Sequence, residues 1–306
     1  MEWFKNANYD FLKIRRIAMA ISAAVILAGL ISLVFRGGPN YSIDFRGGIS
    51  VQLRFQNPVT EGEVRSAVSG IGLGDAEIKR ISELGGESDI LIQFKKTAVS
   101  GDRVEEIKAA VTQAIPGNPF DVRQVETIGP KIGSELRGKA ILASLIALAG
   151  ILIYVSVRFE FLFSLAAVLA LFHDVLVTLG IFSILGKEIS LTIVAALLTI
   201  IGYSINDTIV IFDRIRENLK RMRTKRLEEI INTSINQTLS RTIVTNLTVF
   251  LVLWILFIFG GTVIRDFSLA LLIGSFAGTY STVYIASPVL VEWNARAERL
   301  QKRKKK

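Results

Sequence analysis

The sequence predicts an α-helical membrane bundle of six spans, with one α+β domain of order βαββαβ held outside the membrane. Three observations lead to this fold class. The 306 residues are 51% hydrophobic and their mean hydropathy is +0.47, too apolar for an ordinary soluble protein of this size. The apolar residues cluster in six runs, each long enough to cross a hydrocarbon core of about 30 Å. The stretch between the first two runs instead switches between strand-like alternation and short helical periods.

The runs fall at 14–35, 139–157, 161–185, 189–212, 242–259 and 267–291. The first is too long and too richly flanked for a cleaved signal peptide, and no A-x-A-like site stands where it ends at Phe35-Arg36-Gly37. It therefore reads as a retained anchor. Charge orients the bundle. The formal net charge is +9, but residues 36–137 hold 13 of the 36 basic and 14 of the 27 acidic residues, so the excess belongs to the membrane part. It lies at Lys13, Arg15 and Arg16, at Arg158, from Arg214 to Arg226, and from Arg296 to Lys306, in loops that share one side if the spans alternate. The opposite loops carry only Lys187 and Arg265. By the positive-inside rule, residues 1–13, the loop 213–241 and the tail 292–306 are expected in the cytoplasm and residues 36–138 outside. The basic tail fits this topology and contact with anionic lipid, so the charge calls for no nucleic acid partner. Cysteine is absent, which excludes disulfides, thiolate catalysis and Cys-ligated metals.

Within 36–138 the elements follow in order. GISVQLRF (48–55) alternates like a strand, and TEGEVRSAVSGI (60–71) opens with Thr60 and carries Glu63 at the capping-box position. Residues 76–84 and 89–95 read as strands joined by a Gly85-Gly86 turn, 102–115 as a second helix capped by Asp102, and 120–127 as a last strand. The order is that of a ferredoxin-like module. It holds no histidine and no carboxylate cluster at metal-ligand spacing, so its expected work is contact with another chain, or the positioning of the membrane part. Ahead of it stands Asp44-Phe45-Arg46-Gly47-Gly48, where two glycines allow angles or a close approach that a Cβ would block.

Polar groups inside the apolar runs carry the functional reading. His173, the only histidine, and Asp174 sit near the middle of the third run, where an ionisable group costs about 2.5–3.5 kcal/mol and faces the bundle interior or a water path. Successive helical residues diverge by about 100°, so the two are expected to address different partners. Asp207 lies in the last turns of the fourth run, with Ser204 one turn back and Asn206 and Thr208 beside it, before the apolar Ile209 to Phe212. In the fifth run, Arg241, Thr245 and Thr248 at i, i+4 and i+7 form one polar stripe. Arg241 enters near the level at which Asp207 leaves, and an arginine beside a carboxylate keeps it ionised until the arginine moves away. The pair reads as a proton switch. The charged stretch from Asp213 to Asn218 reads as a solvated helix with local ion pairs, and Gly274 and Gly278 in the last run suit close helix packing.

IDFRGG after the first span, VETIGPKIGSELRGKA after the βαββαβ domain, then FHDVLVTLG, IGYSINDTIVIFDRIREN and NQTLSRTIVTN on consecutive spans resemble the SecF family, the smaller membrane subunits of SecD–SecF protein-export complexes. The chain departs from the family pattern at Ser42 and Ile49, where Gly and Thr are commoner. The resemblance implies a bacterial inner-membrane subunit of the architecture of resistance-nodulation-division transporters. Such a subunit pairs with a separate SecD and associates with the SecYEG channel, with YajC and YidC as further associates, and uses the proton motive force to assist preprotein export. It implies no cofactor and no enzymatic activity. The family's essential acid falls on Asp207, its essential arginine on Arg241 and its third-span HD pair on His173 and Asp174. A small-molecule efflux transporter on the same bundle plan and a non-transporting scaffold of the channel are the rival readings.

Overall fold

The computed structural model describes residues 7–82, 88–94 and 103–294. A short turn (Leu12–Ile14) leads into α1 (Arg15–Phe35), and a helical turn, α2 (Ile43–Arg46), precedes the sheet domain. That domain comprises β1 (Gly48–Phe55), α3 (Glu61–Ser69), β2 (Glu77–Ser82), β3 (Ser88–Phe94), α4 (Arg103–Ala114) and β4 (Phe120–Ile128). The strands form one antiparallel sheet in the order β2-β3-β1-β4, the ferredoxin-like arrangement expected. Alternation decides its two faces. Val51, Leu53, Phe55, Ile90 and Ile92 bury one face under Val64 and Val68 of α3 and Ile107 and Val111 of α4, while Ser50, Gln52, Gln93 and Gln124 line the other. Thr60 caps α3 through the reciprocal bonds with Glu63 that its sequence requires. The Gly85-Gly86 turn and the Asp102 cap lie outside the described residues.

The bundle follows as α5 (Pro130–Arg158), α6 (Phe161–Ile184), α7 (Leu191–Arg221), α8 (Leu227–Phe259) and α9 (Gly261–Ser281), which continues through a π-helical turn (Thr282–Ala286) to Asn294. With α1 these make six helices long and apolar enough to span a membrane. Several run well past the predicted spans. Pro130, at the first position of α5, starts that helix ahead of the apolar run, so residues 130–138 belong to a membrane helix and not to the sheet domain. The loop expected at 213–241 is mostly helical: α7 and α8 extend as a hairpin that turns at Met222–Arg226. Polar side chains there satisfy one another and the chain start, Asn218 donating to Ser234 and Gln237, and Asn232 and Asn236 gripping the backbone of Tyr9 and Phe11. Hydropathy cannot see such an extension because helix and apolar run need not end together.

Small residues set the helix crossings, as expected where lipid removes any hydrophobic drive to associate. A Cβ on Gly29 of α1 would stand 2.4 Å from Gly180 Cα of α6. Gly274 and Gly278 of α9 play the predicted part, seating Ile200 and Ser204 of α7 where a Cβ would collide.

Candidate functional site

Two polar networks cross the bundle interior. The first centres on Asp174, whose side chain is 1% exposed. Its Oδ1 lies 3.0 Å from His173 Nδ1 and its Oδ2 accepts from Ser204 Oγ of α7 at 2.7 Å. His173 Nε2 in turn meets Ser22 Oγ of α1 at 2.9 Å, and its ring stacks on Tyr280 of α9 with centroids 6.1 Å apart. The neighbouring pair therefore does address different helices, Ser22 on one side and Ser204 on the other, but it is also joined to itself. One chain of hydrogen bonds thus links α1, α6 and α7 at mid-bundle. The His173–Asp174 pair is held at this depth by the hydroxyls of Ser22 and Ser204.

The second network centres on Asp207. At 1.5 Å per residue it lies about 24 Å along α7 from Leu191, near the middle of that 31-residue helix, which runs on past the end of the apolar run. Its Oδ1 accepts from Thr242 Oγ1 of α8 at 2.7 Å. Its Oδ2 is buried and has no hydrogen-bond partner among the described residues. From Thr242 the network runs on: Asn246 donates to the Thr242 carbonyl at 2.8 Å, and its side-chain oxygen accepts from Tyr203 and Thr279. Beside Asp207 on α7, Thr208 Oγ1 donates to the Ser204 carbonyl and lies 2.9 Å from Thr282 Oγ1. Thr282 opens the π-helical turn of α9, a local widening that often marks functional segments.

The predicted residues divide accordingly. His173, Asp174 and Ser204 form one site, and Asp207 another, so Ser204 supports Asp174 and not, as its one-turn spacing suggests, Asp207. Arg241 makes no ion pair with Asp207 within 4 Å among the described residues: it is exposed, as are Asn206, Thr245 and Thr248. The stripe chosen from sequence faces outward, and the stripe that holds Asp207, Thr242 with Asn246, lies one residue out of phase on the same helix. Both stripes are polar, so periodicity could not tell which faces inward. Thr242 was findable only as a hydroxyl beside an intramembrane arginine. Ser22 and Tyr280 carry no sequence signal beyond being polar in an apolar run.

The glycine motif is a joint. Ser42 caps α2 by accepting from Asp44 N, so the approach to the glycines is a helical turn and not extended chain. Asp44 Oδ2 reaches across to accept from Leu191 N at 2.9 Å, satisfying one of the free amides that begin α7. Gly47 has φ +74°, and a Cβ there would stand 2.7 Å from Pro130 Cα, while a Cβ on Gly133 would meet Phe45 and Gly47 backbone. Backbone contacts continue at Asn40 to Ser42, which bond both sides of Ile189. Two helix starts and one sheet entrance are thus fixed at a single place.

Comparison with known proteins agrees with this architecture. A family model described as "Protein export membrane protein SecD/SecF, C-terminal" matches residues 107–296, and one described as "SecD/SecF GG Motif" matches residues 31–59. The chain is 46% identical to the protein translocase subunit SecF of Thermodesulfovibrio yellowstonii over 290 residues, covering 94% of this chain and 95% of that protein. It is 45% identical to the SecF of Rhodothermus marinus, with 97% of each covered. Among solved structures it superposes on SecDF of Thermus thermophilus, described as a translocon-associated membrane protein, with a TM-score of 0.82 and 40% identity. That match covers 96% of this chain and 40% of the longer SecDF chain. The glycine joint, the six-helix bundle and the full-length SecF relatives together place this membrane protein in the SecD/SecF family of protein-export proteins, as a SecF subunit.

Proposed function

We propose that the chain is the SecF half of a SecD–SecF complex that couples proton passage through the bundle to movement of the sheet domain, assisting preprotein export through the SecYEG channel. In this reading it sits in a bacterial inner membrane with both termini in the cytoplasm and the sheet domain outside, and YajC and YidC are further associates. The single observation that carries the reading is Asp207: a half-buried carboxyl between membrane helices, with one oxygen held by Thr242 and the other buried without a hydrogen-bond partner among the described residues. A group so placed can take up a proton without first breaking a bond, and an unpaired ionisable group inside a membrane is by default functional. Arg241 directly precedes the Thr242 that holds Asp207, so a rotation of α8 by about 100° would exchange one for the other. The proton gradient is the energy source, and no covalent chemistry or cofactor is assigned. One charge crossing 100 mV supplies about 2.3 kcal/mol, so a few protons per cycle match the cost of breaking a few hydrogen bonds.

The test is preprotein export into inverted vesicles with an imposed proton gradient, comparing wild type with Asp207→Asn at matched abundance of the complex. Loss of only the gradient-dependent part of export supports the proposal. Persistent gradient stimulation overturns it, and a fall in complex abundance with coupling intact points to a scaffold.

A further inference from the structure

The sheet domain faces the bundle across a cleft of about 450 Å³, with Ser50, Gln52, Gln93 and Gln124 on the sheet side and the α6–α7 loop with the first turn of α7 opposite. At one end the edge strand β2 carries Glu77 and Lys79, two residues apart and so on one face. Lys79 Nζ lies 3.0 Å from Glu77 Oε1 and 2.9 Å from Glu188 Oε2 in the α6–α7 loop. The two carboxyl groups are also within hydrogen-bonding reach of each other. Glu188 is the best covered, its side chain 12% exposed against 40% for Glu77. Two ionised carboxylates on one ammonium leave a net negative charge and a like-charge contact in a half-dry cleft. One proton on the pair makes the triad neutral and turns repulsion into an O–H···O bond. Beside them Gln93, the register partner of Glu77, holds a buried Oε1 without a donor among the described residues.

We propose that Glu77, Lys79 and Glu188 form a proton-binding latch: one proton shared by the two carboxyls clamps the edge of the sheet domain onto the α6–α7 loop, and its loss releases that edge. The latch uses the export reading only for the side of the membrane it faces, the side from which protons would enter.

The surroundings give the latch its pH range. Burial, and then the adjacent Glu77, push the Glu188 carboxyl up to about 7 against the pull of Lys79. Burial also acts to raise Glu77, but the bonds from Glu188 and Lys79 outweigh it and hold that carboxyl below its ordinary 4.5. Other charged groups face the pair from every side. Arg46 of α2 acts on Glu77, and Asp44 of α2, Glu126 of β4 and Asp266 of α9 line the cleft. Asp266 is matched by Lys187 at 2.6 Å, and β1 and β3 contribute only uncharged residues there. A carboxyl raised in the clamped state takes up a proton on clamping, so clamping strengthens as pH falls through about 7. It levels off near 4.5, the ordinary value, and below that Glu77 protonates and weakens it. Between pH 8 and 5.5 the ratio of clamped to released edge should rise about 30-fold.

The chain lacks cysteine, so spin labels at Ser66→Cys on α3 and Leu185→Cys beside the loop, both exposed, report the distance between edge and bundle. Measured in detergent, without gradient or partner subunit, the short-distance population should grow as pH falls from 8 to 5.5. Glu188→Gln, neutral at every pH, should hold the short distance throughout. Glu77→Gln, whose amide donates to an ionised Glu188, should move the midpoint to lower pH. In parallel, infrared spectroscopy should detect a protonated carboxyl that titrates near neutrality in wild type and is missing from Glu188→Gln. A wild-type distance distribution that ignores pH overturns the latch, and so does a pH response that survives Glu188→Gln. Neither outcome bears on Asp207, whose test requires a gradient.

Discussion

Gly29→Ala adds one methyl group at the tightest crossing between α1 and α6. The new Cβ would lie 2.4 Å from Gly180 Cα and 3.1 Å from Gly180 C, whereas carbon atoms rest comfortably at about 3.5–4.0 Å. The two helices must therefore part by more than about 1 Å at that point. Overpacking of this kind costs about 1–3 kcal/mol. The same displacement reaches Ser22, two turns earlier on α1, and stretches its 2.9 Å contact with His173 Nε2 beyond hydrogen-bonding range. That loss adds about 0.5–1.5 kcal/mol, so the expected destabilisation is about 2–4 kcal/mol. Thermal unfolding in detergent reads it. Two controls sharpen the test. Gly180→Ala, whose nearest contact is 3.1 Å, should cost less than Gly29→Ala. Gly150→Ala, with nothing within 4 Å, should be neutral or slightly favourable because alanine suits helices better. The reasoning fails if Gly29→Ala unfolds with wild type, or if Gly180→Ala is the more damaging of the pair.

Two further outcomes concern carboxyl groups and the donors that hold them. Thr242→Val keeps the shape of the side chain but leaves both Asp207 oxygens without a donor, at a cost of about 1–3 kcal/mol for an unsatisfied buried group; it should lower the unfolding temperature and depress gradient-driven export in the vesicle assay, and wild-type values in both would refute the role given to Thr242. In the sheet domain, burial acts to raise the Asp89 carboxyl, but the bonds from Arg54 and Gln52 outweigh it and hold it below its ordinary 3.8. Its contribution to stability is therefore complete above that value and is lost as pH falls below it, a loss that unfolding curves should show for wild type and not for Asp89→Asn.

Much of the architecture was legible because the relevant signals are local. The Thr60–Glu63 capping box, the alternation of β1 and the six apolar runs each depend on neighbours in sequence, and each stands where it was expected. Helix ends were less legible: Pro130 starts α5 early because a helix start is set by backbone geometry and not by hydropathy. For the polar interior, sequence named the carboxyl groups but not their partners. Asp174 takes Ser204, thirty residues away, and Asp207 takes Thr242, thirty-five residues away. Such pairings are decided by how helices are rotated against one another. That rotation depends on contacts such as Gly29 with Gly180, which no single stretch of chain encodes.

The joint around Gly47 has a consequence for how the sheet domain can report on the bundle. Its footing is shared: the domain follows α1 in the chain, Gly47 rests on the start of α5, Ser42 is tied to Ile189, and Asp44 holds the first turn of α7. A platform standing on several independent legs does not register a motion they all share, such as tilting of the whole bundle in the bilayer. It responds only to differences between them. A change in height of the start of α5 relative to the start of α7 would thus tilt the domain on this joint, whereas a tilt common to both would leave its inclination to the bundle unchanged.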